Sequence, residues 1–231
     1  MSRFMNRIAP GSPPQNVRVH SALWWTVGLW AAVQLATDLA GMGLLPRLFQ
    51  QWEIYLRFAF FTVRFDQALA GAGVEPQLLW SFVTHAFLHA GWLHLAMNAA
   101  LFLAIGHGLS HEAGIRATLL VFLGTCAAGA LTFGLLTATQ GALVGASGGT
   151  SGFLGVLLCW RERWLARQGA SRDPIWILVG ALVAINVMMA FGIEGGAIAW
   201  EAHLGGFVAG WLMAYAVPPR RHRTRNRARF L

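Results

Sequence analysis

The chain has 231 residues, 56% of them hydrophobic and 11% charged, with a mean hydropathy of +0.54 and a formal net charge of +8. Soluble domains carry about 25% charged residues, so this composition excludes an ordinary soluble enzyme. Long uncharged runs recur along the chain and point to an all-α polytopic membrane protein. Cys126 and Cys159 both fall inside apolar runs; they read as packing residues, not as a disulfide framework.

Residues 1–20 are polar, contain Pro10, Pro13 and Pro14, and read as a cytoplasmic tail; the opening MSRFMNRIAPGSPP has no apolar core of a signal peptide. A membrane unit is expected over residues 21–217, followed by a basic tail over 218–231. Its first span runs from Ser21 to Leu45. The spacer that follows mixes Trp52, Tyr55, Phe58, Phe60 and Phe61 with Glu53, Arg57, Arg64 and Asp66, a pattern suited to helices lying at a membrane interface. Glu53 and Arg57 are spaced i, i+4, as on a helix. The second span is Trp92 to His107, approached by His85 and His89, and the third is Ile115 to Thr137. The fourth, Ser147 to Trp160, is short and follows a glycine-rich stretch, GALVGASGGTSGFLG. The fifth is Pro174 to Phe191, in which Asn186 reads as a packing hydrogen bond. The sixth is Ala199 to Val217, stopped by Pro218 and Pro219.

Six spans put both termini on one side. That side carries Arg3, Arg7, Arg18, Arg116, Arg161, Arg163, Arg167, Arg172 and the six arginines after Pro219, against Arg47, Arg57 and Arg64 on the other. The positive-inside rule then predicts a multi-pass protein, placed in a bacterial inner membrane, with both termini cytoplasmic. The arginine tail is read as a contact for anionic lipid and not for nucleic acid.

Helical rise sets relative depth. Ser147 lies roughly 21 Å above the cytoplasmic end of its span and His203 roughly 22 Å; Asn98 and His94 lie roughly 20 and 25 Å above theirs. The four polar groups share a level inside the apolar layer, where each is costly unless used. Ser147 and His203 supply a nucleophile and a general base with no acidic third member. His94 and Asn98, spaced i, i+4, share a helix face and, with the Ser147 backbone N–H, supply donors for an oxyanion. Gly148 and Gly152 on one helix, with Gly206 and Gly210 on the other, allow close helix approach, and Gly145 permits a non-helical entry to Ser147. Gly145-Ala-Ser147-Gly and Gly149-Thr-Ser151-Gly both read as G-x-S-G; Ser151 is about one turn deeper than His203, which favours Ser147. His85, His89 and His94 also have metal-ligand spacing, although His85 and His89 read first as structural anchors of the loop before the second span.

These residues resemble the rhomboid family of intramembrane serine proteases over roughly Trp80 to Gly210. HAFLHAGWLHLAMNAALFLAIG resembles the family's second-span motif, GASGGTSGFLG its nucleophile motif and AHLGGFVAG its sixth-span motif. The resemblance implies a six-transmembrane-helix bundle with a short, buried fourth helix and an interfacial loop between the first two helices. It implies cofactor-free hydrolysis, with no metal, of membrane-protein substrates that carry a transmembrane segment. Ser147 and His203 are then catalytic, and His94 and Asn98 form the oxyanion hole. The chain departs from the pattern at Ser81, where arginine is common, at Ser110, where glutamate is usual, and at Ser151, which is aromatic in some members. The fifth span and the loop from Gly192 to Trp200 are the expected gate for substrate. An inactive relative that binds and escorts membrane segments is the competing expectation, and the oligomeric state has no signature in the sequence.

Overall fold

A computed structural model describes residues 19–46, 50–138, 140–192 and 199–220. Among these residues the chain forms nine α-helices and one two-stranded sheet. The helices are α1 (Ser21–Gly41), α2 (Gln51–Phe58), α3 (Thr62–Leu69), α4 (Pro76–Thr84), α5 (Trp92–Ala113), α6 (Ile115–Leu136), α7 (Ser147–Arg167), α8 (Asp173–Gly192) and α9 (Trp200–Ala216). The strands are β1 (Phe60–Phe61) and β2 (Ala142–Leu143), paired antiparallel with Phe60 opposite Leu143 and Phe61 opposite Ala142.

This architecture corrects the expectation of a six-transmembrane-helix bundle. Among the described residues only Trp92–Ala113 and Ile115–Leu136 are long and apolar enough to cross a membrane. Helices α1, α7 and α9 fall short for separate physical reasons. Helix α1 carries three tryptophans, Gln34 and Asp38 within its 21 residues. Helix α9 has 17 residues. Helix α7 does not stop at Trp160 as a short fourth span; it has 21 residues and takes in Arg161, Glu162, Arg163 and Arg167. Those charged residues are good helix formers, so they prolong the helix they were expected to end. The multi-pass localisation with both termini cytoplasmic is corrected on the same finding, because the arginine count that oriented the chain presupposed six crossings. Residues 1–18 and 221–231, which hold most of the two tails, and the loop residues 193–198 lie outside the described residues.

Helix α7 lies in the middle of the assembly. Its residues Gly148, Gly149, Thr150, Gly152, Phe153, Gly155, Val156, Leu158 and Cys159 are buried, while the stripe of Ser147, Ser151, Leu154 and Leu157 is half-buried. One aromatic core surrounds it: Trp30 of α1, Phe102 of α5, Phe122 of α6 and Phe153 of α7 are fully buried, with Trp30–Phe102 and Phe102–Phe122 ring centroids 4.9 and 5.0 Å apart. These tilted and edge-on arrangements suit the ring quadrupoles. Cys126 and Cys159 are free and buried in this core. A second cluster, with Phe60, Phe65, Leu78, Phe133 and Leu143, fastens β1, α3 and α4 to α6 and β2.

Helices α7 and α9 pack at backbone distance. A methyl group on Gly206 would strike the carbonyl oxygen of Gly148, and one on Gly210 the carbonyl oxygen of Gly152. From the other side, a methyl group on Gly155 would strike the carbonyl oxygen of Phe207. Helix α8 touches α7 and α9 far more sparingly than they touch each other.

The segment between α1 and α5, expected as interfacial helices, forms α2, β1, α3 and α4. The Glu53–Arg57 pair is present at 3.5 Å, an exposed contact of little energetic weight. Trp80 Nε1 donates to the Arg57 carbonyl at 2.8 Å and Thr84 Oγ1 to the Phe58 carbonyl at 2.8 Å. Ser81, one of the departures from the family pattern, is buried and donates to its own helix at the Leu78 carbonyl, 2.9 Å away. The loop before α5 is thus held by neighbouring side chains and needs no arginine at position 81.

Candidate active site

The chain enters α7 through a tethered turn. Thr62 N–H donates to the Gly141 carbonyl at 3.1 Å, Gly141 N–H donates to Thr62 Oγ1 at 2.9 Å, and Gln140 Nε2 donates to Asp66 Oδ2 at 2.9 Å. Gly145 N–H donates to the His85 carbonyl at 3.0 Å. Gly145 has φ +108° and a Cβ there would lie 2.6 Å from His94 Cε1 and 2.9 Å from His94 Nε2. Only glycine accommodates both the backbone angle and the ring. Helix α7 then begins at Ser147, and no side chain caps its first turn. The leading N–H groups of a helix lack partners within it, so the Ser147 end presents backbone donors.

His94 and Gly145 are therefore in contact, two residues before Ser147. The Ala90 N–H donates to His94 Nδ1 at 3.3 Å, so a neutral ring carries its proton on Nε2, the edge turned toward Gly145. One turn along α5, Asn98 is 3% exposed and donates from Nδ2 to the His94 carbonyl at 3.0 Å. Its Oδ1 is buried with no partner, and no hydrogen bond joins Asn98 to Ser147 or His203 among the described residues.

The α7–α9 contact brings together the residues next to Ser147 and His203. The Gly148 Cβ position lies 3.3 Å from the Ala202 carbonyl oxygen, so the residue after Ser147 touches the residue before His203. Both functional side chains are half-buried. The Ser147 hydroxyl and His203 ring are not hydrogen-bonded to each other; such bonds are often long in unliganded sites and tighten around substrate.

Sequence reading missed the partner of His203. His203 Nδ1 lies 2.8 Å from Asn186 Oδ1, and Asn186 Nδ2 donates to the Leu182 carbonyl at 2.8 Å. A signal was present: Asn186 is a lone amide within the apolar run IWILVGALVAINVMM, where an unpartnered polar group is costly. No aromatic ring stacks on His203 among the described residues. Beside it lies a cavity of about 140 Å³ between α7, α8 and α9, lined by Ser151, Leu154, Leu182, Asn186, Trp200 and His203. Ser151 is thus on the cavity wall, one turn beyond Ser147.

His85 and His89 are each 2% exposed. His85 Nδ1 donates to the Ser81 carbonyl at 2.8 Å. The His89 ring sits between Trp30 and His94, with centroids 5.3 Å from each, and both its nitrogens are buried without partners. Burial pushes both rings down to about 4; the Ser81 bond partly opposes this at His85, and the charge of His94 adds to it at His89. Both are neutral in the folded chain near neutral pH. Between about pH 6.5 and 4 the unfolded chain binds the extra protons, so stability is full above this window and declines as pH falls through it. The thermal midpoint is expected to fall between pH 7 and pH 5. His89→Phe, which removes one such ring on the order of 1–3 kcal/mol of linkage, is expected to flatten that fall, as differential scanning calorimetry will show. Among the described residues no three His, Cys, Asp or Glu side chains gather as metal ligands.

Comparison with known proteins agrees with the motifs. A family model described as the Rhomboid domain matches residues 76–220, more than half of the chain, and the chain belongs to the rhomboid family. It is 30% identical over 149 residues to Rhomboid-like protease 1 of Toxoplasma gondii, covering 61% of this chain and 49% of that protein. It is 28% identical over 159 residues to RHOMBOID-like protein 5 of Arabidopsis thaliana, covering 68% and 50%. RHOMBOID-like protein 1 of Arabidopsis thaliana is 30% identical over 142 residues, covering 62% and 35%. The chain spans about half the length or less of these relatives. Family membership supports a protease-like fold in general.

Proposed function

We propose that the chain is a serine endopeptidase that hydrolyses peptide bonds in or near the transmembrane segments of membrane proteins. The observation that supports this reading is the backbone contact between the first turns of α7 and α9, where Gly148, next to Ser147, meets Ala202, next to His203. In this mechanism His203 Nε2 accepts the Ser147 hydroxyl proton as Oγ attacks the scissile carbonyl carbon. The carbonyl π electrons move to oxygen, and the resulting oxyanion is held by His94 Nε2–H, an Asn98 amide N–H and the Ser147 backbone N–H. Collapse expels the amine, which takes the proton from His203. Water, deprotonated by the same ring, then releases the acyl group from Ser147. No cofactor enters these steps.

The glycine pairs Gly148–Gly206 and Gly152–Gly210 support the site by letting the two helices approach, and Gly145 by making room for His94. A second reading, a binding protein that escorts membrane segments without cutting them, draws on the missing Ser147–His203 hydrogen bond. Purified protein incubated with a membrane-anchored model substrate separates the two. Cleavage that persists in excess chelator is expected. Retained binding with no cleavage under any condition favours the escort, and cleavage abolished by chelator favours a metal-dependent hydrolase over the serine protease.

A further inference from the structure

We infer that Asn186 is a positioning residue, which fixes the tautomer and orientation of the His203 ring; the inference rests on the reading of His203 as the base. Hydrogen-bond direction carries it. The Leu182 carbonyl can only accept, so the Asn186 atom facing it, 2.8 Å away, is the NH₂ group. That leaves Oδ1 as the atom 2.8 Å from His203 Nδ1. A carboxamide oxygen can only accept, so Nδ1 carries the proton. In the neutral ring the lone pair is then on Nε2, the nitrogen required to take a proton from Ser147.

Three features separate this arrangement from an ordinary tie between helices. First, Asn186 is itself anchored four residues back on its own helix, so its acceptor is aimed before the histidine meets it. Second, among the described residues no carboxylate bonds to His203: Glu201, two residues away on α9, is buried but makes no hydrogen bond or ion pair with the ring. Third, the ring borders the cavity lined by Ser151, and among the described residues no ring stacks on the imidazole. Without Asn186, His203 is free to rotate or to carry its proton on Nε2. Because α8 packs sparingly on α9, the bond also makes the orientation of the base depend on how α8 is seated.

The test uses the full chain in detergent, with wild type, Asn186→Leu, Asn186→Asp and Ser147→Ala. Asn186→Leu keeps the approximate volume and removes the acceptor; kcat is expected to fall about 10²-fold, in the range set by general-base catalysis, with KM nearly unchanged. Asn186→Asp restores an acceptor at the same place and is expected to recover a large part of kcat. Nitrogen-15 NMR of histidine-labelled protein, with His203→Ala used to assign the signal, reads the tautomer directly. Wild type is expected to show Nδ1 protonated and Nε2 unprotonated, and Asn186→Leu to lose that pattern. A variant Asn186→Leu with wild-type kcat, or one that lowers only the melting temperature while the tautomer persists, overturns the inference. If Ser147→Ala cleaves as well as wild type, the assignment of Ser147 as the nucleophile fails. The NMR measurement needs no substrate, so it still decides whether Asn186 sets the ring.

Discussion

Ser147→Ala and His203→Ala are each expected to lower kcat for cleavage of a membrane-anchored substrate by at least about 10⁴-fold, the scale seen when a nucleophile or its base is removed from a unit that works together. Ser151→Ala is expected to keep most of the activity. The two serines sit in identical G-x-S-G contexts one turn apart, so the distinction is geometric. Ser147 opens α7, beside uncapped backbone N–H groups and two residues from the Gly145–His94 contact. Ser151 lies a turn inside the helix on the wall of the α7–α8–α9 cavity, with its own N–H engaged in the helix. The double variant Ser147→Ala/His203→Ala is expected to be no worse than either single one, because both remove the same step. Rates from the variants, normalised to folded protein, check this.

Gly206→Ala is expected to be among the most destabilising alanine substitutions on α9. The added methyl meets the Gly148 carbonyl oxygen, and behind it lie Gly148 C and Cα at 2.7 and 3.1 Å. All three are backbone atoms of α7, so no side chain can swing away. Relief requires moving α7 from α9, which also parts Ser147 from His203. Overpacking where side chains can adjust costs about 1–3 kcal/mol; here the loss is expected at or above the top of that range, with activity lost even where folding survives. Gly210→Ala, against the Gly152 carbonyl, is expected to behave alike. Gly28→Ala on α1 is the control: nothing lies within 4 Å of that Cβ position, so alanine is expected to stabilise by about 0.5–1 kcal/mol. Chemical denaturation of the three variants against wild type measures the order.

Much of this site is legible in the sequence because its demands are local. A positive φ beside a ring selects Gly145, and helix approach at backbone distance selects small residues at Gly148, Gly152, Gly206 and Gly210. Helix starts at Ser147, Trp92 and Ile115 follow from punctuation by glycine. Other parts depend on what lies across space. Asn186 and His203 are 17 residues apart on different helices, and nothing in their spacing pairs them. Strands of two residues, Phe60–Phe61 and Ala142–Leu143, are too short for an alternating pattern to register. The six-span expectation failed where hydrophobic content was equated with crossing. In α1 only Trp30 of the three tryptophans is buried, against Phe102 of α5, while Gln34 bonds to Asp38 on its own helix, and the arginines expected to bound a fourth span are inside α7.

The central claim is that His203 activates Ser147, and covalent capture tests it most directly. Purified protein treated with a fluorophosphonate, digested and mapped by mass spectrometry is predicted to carry the adduct on Ser147, with labelling strongly slowed in His203→Ala. An adduct on Ser151, or labelling of Ser147 at the same rate with and without His203, contradicts the account.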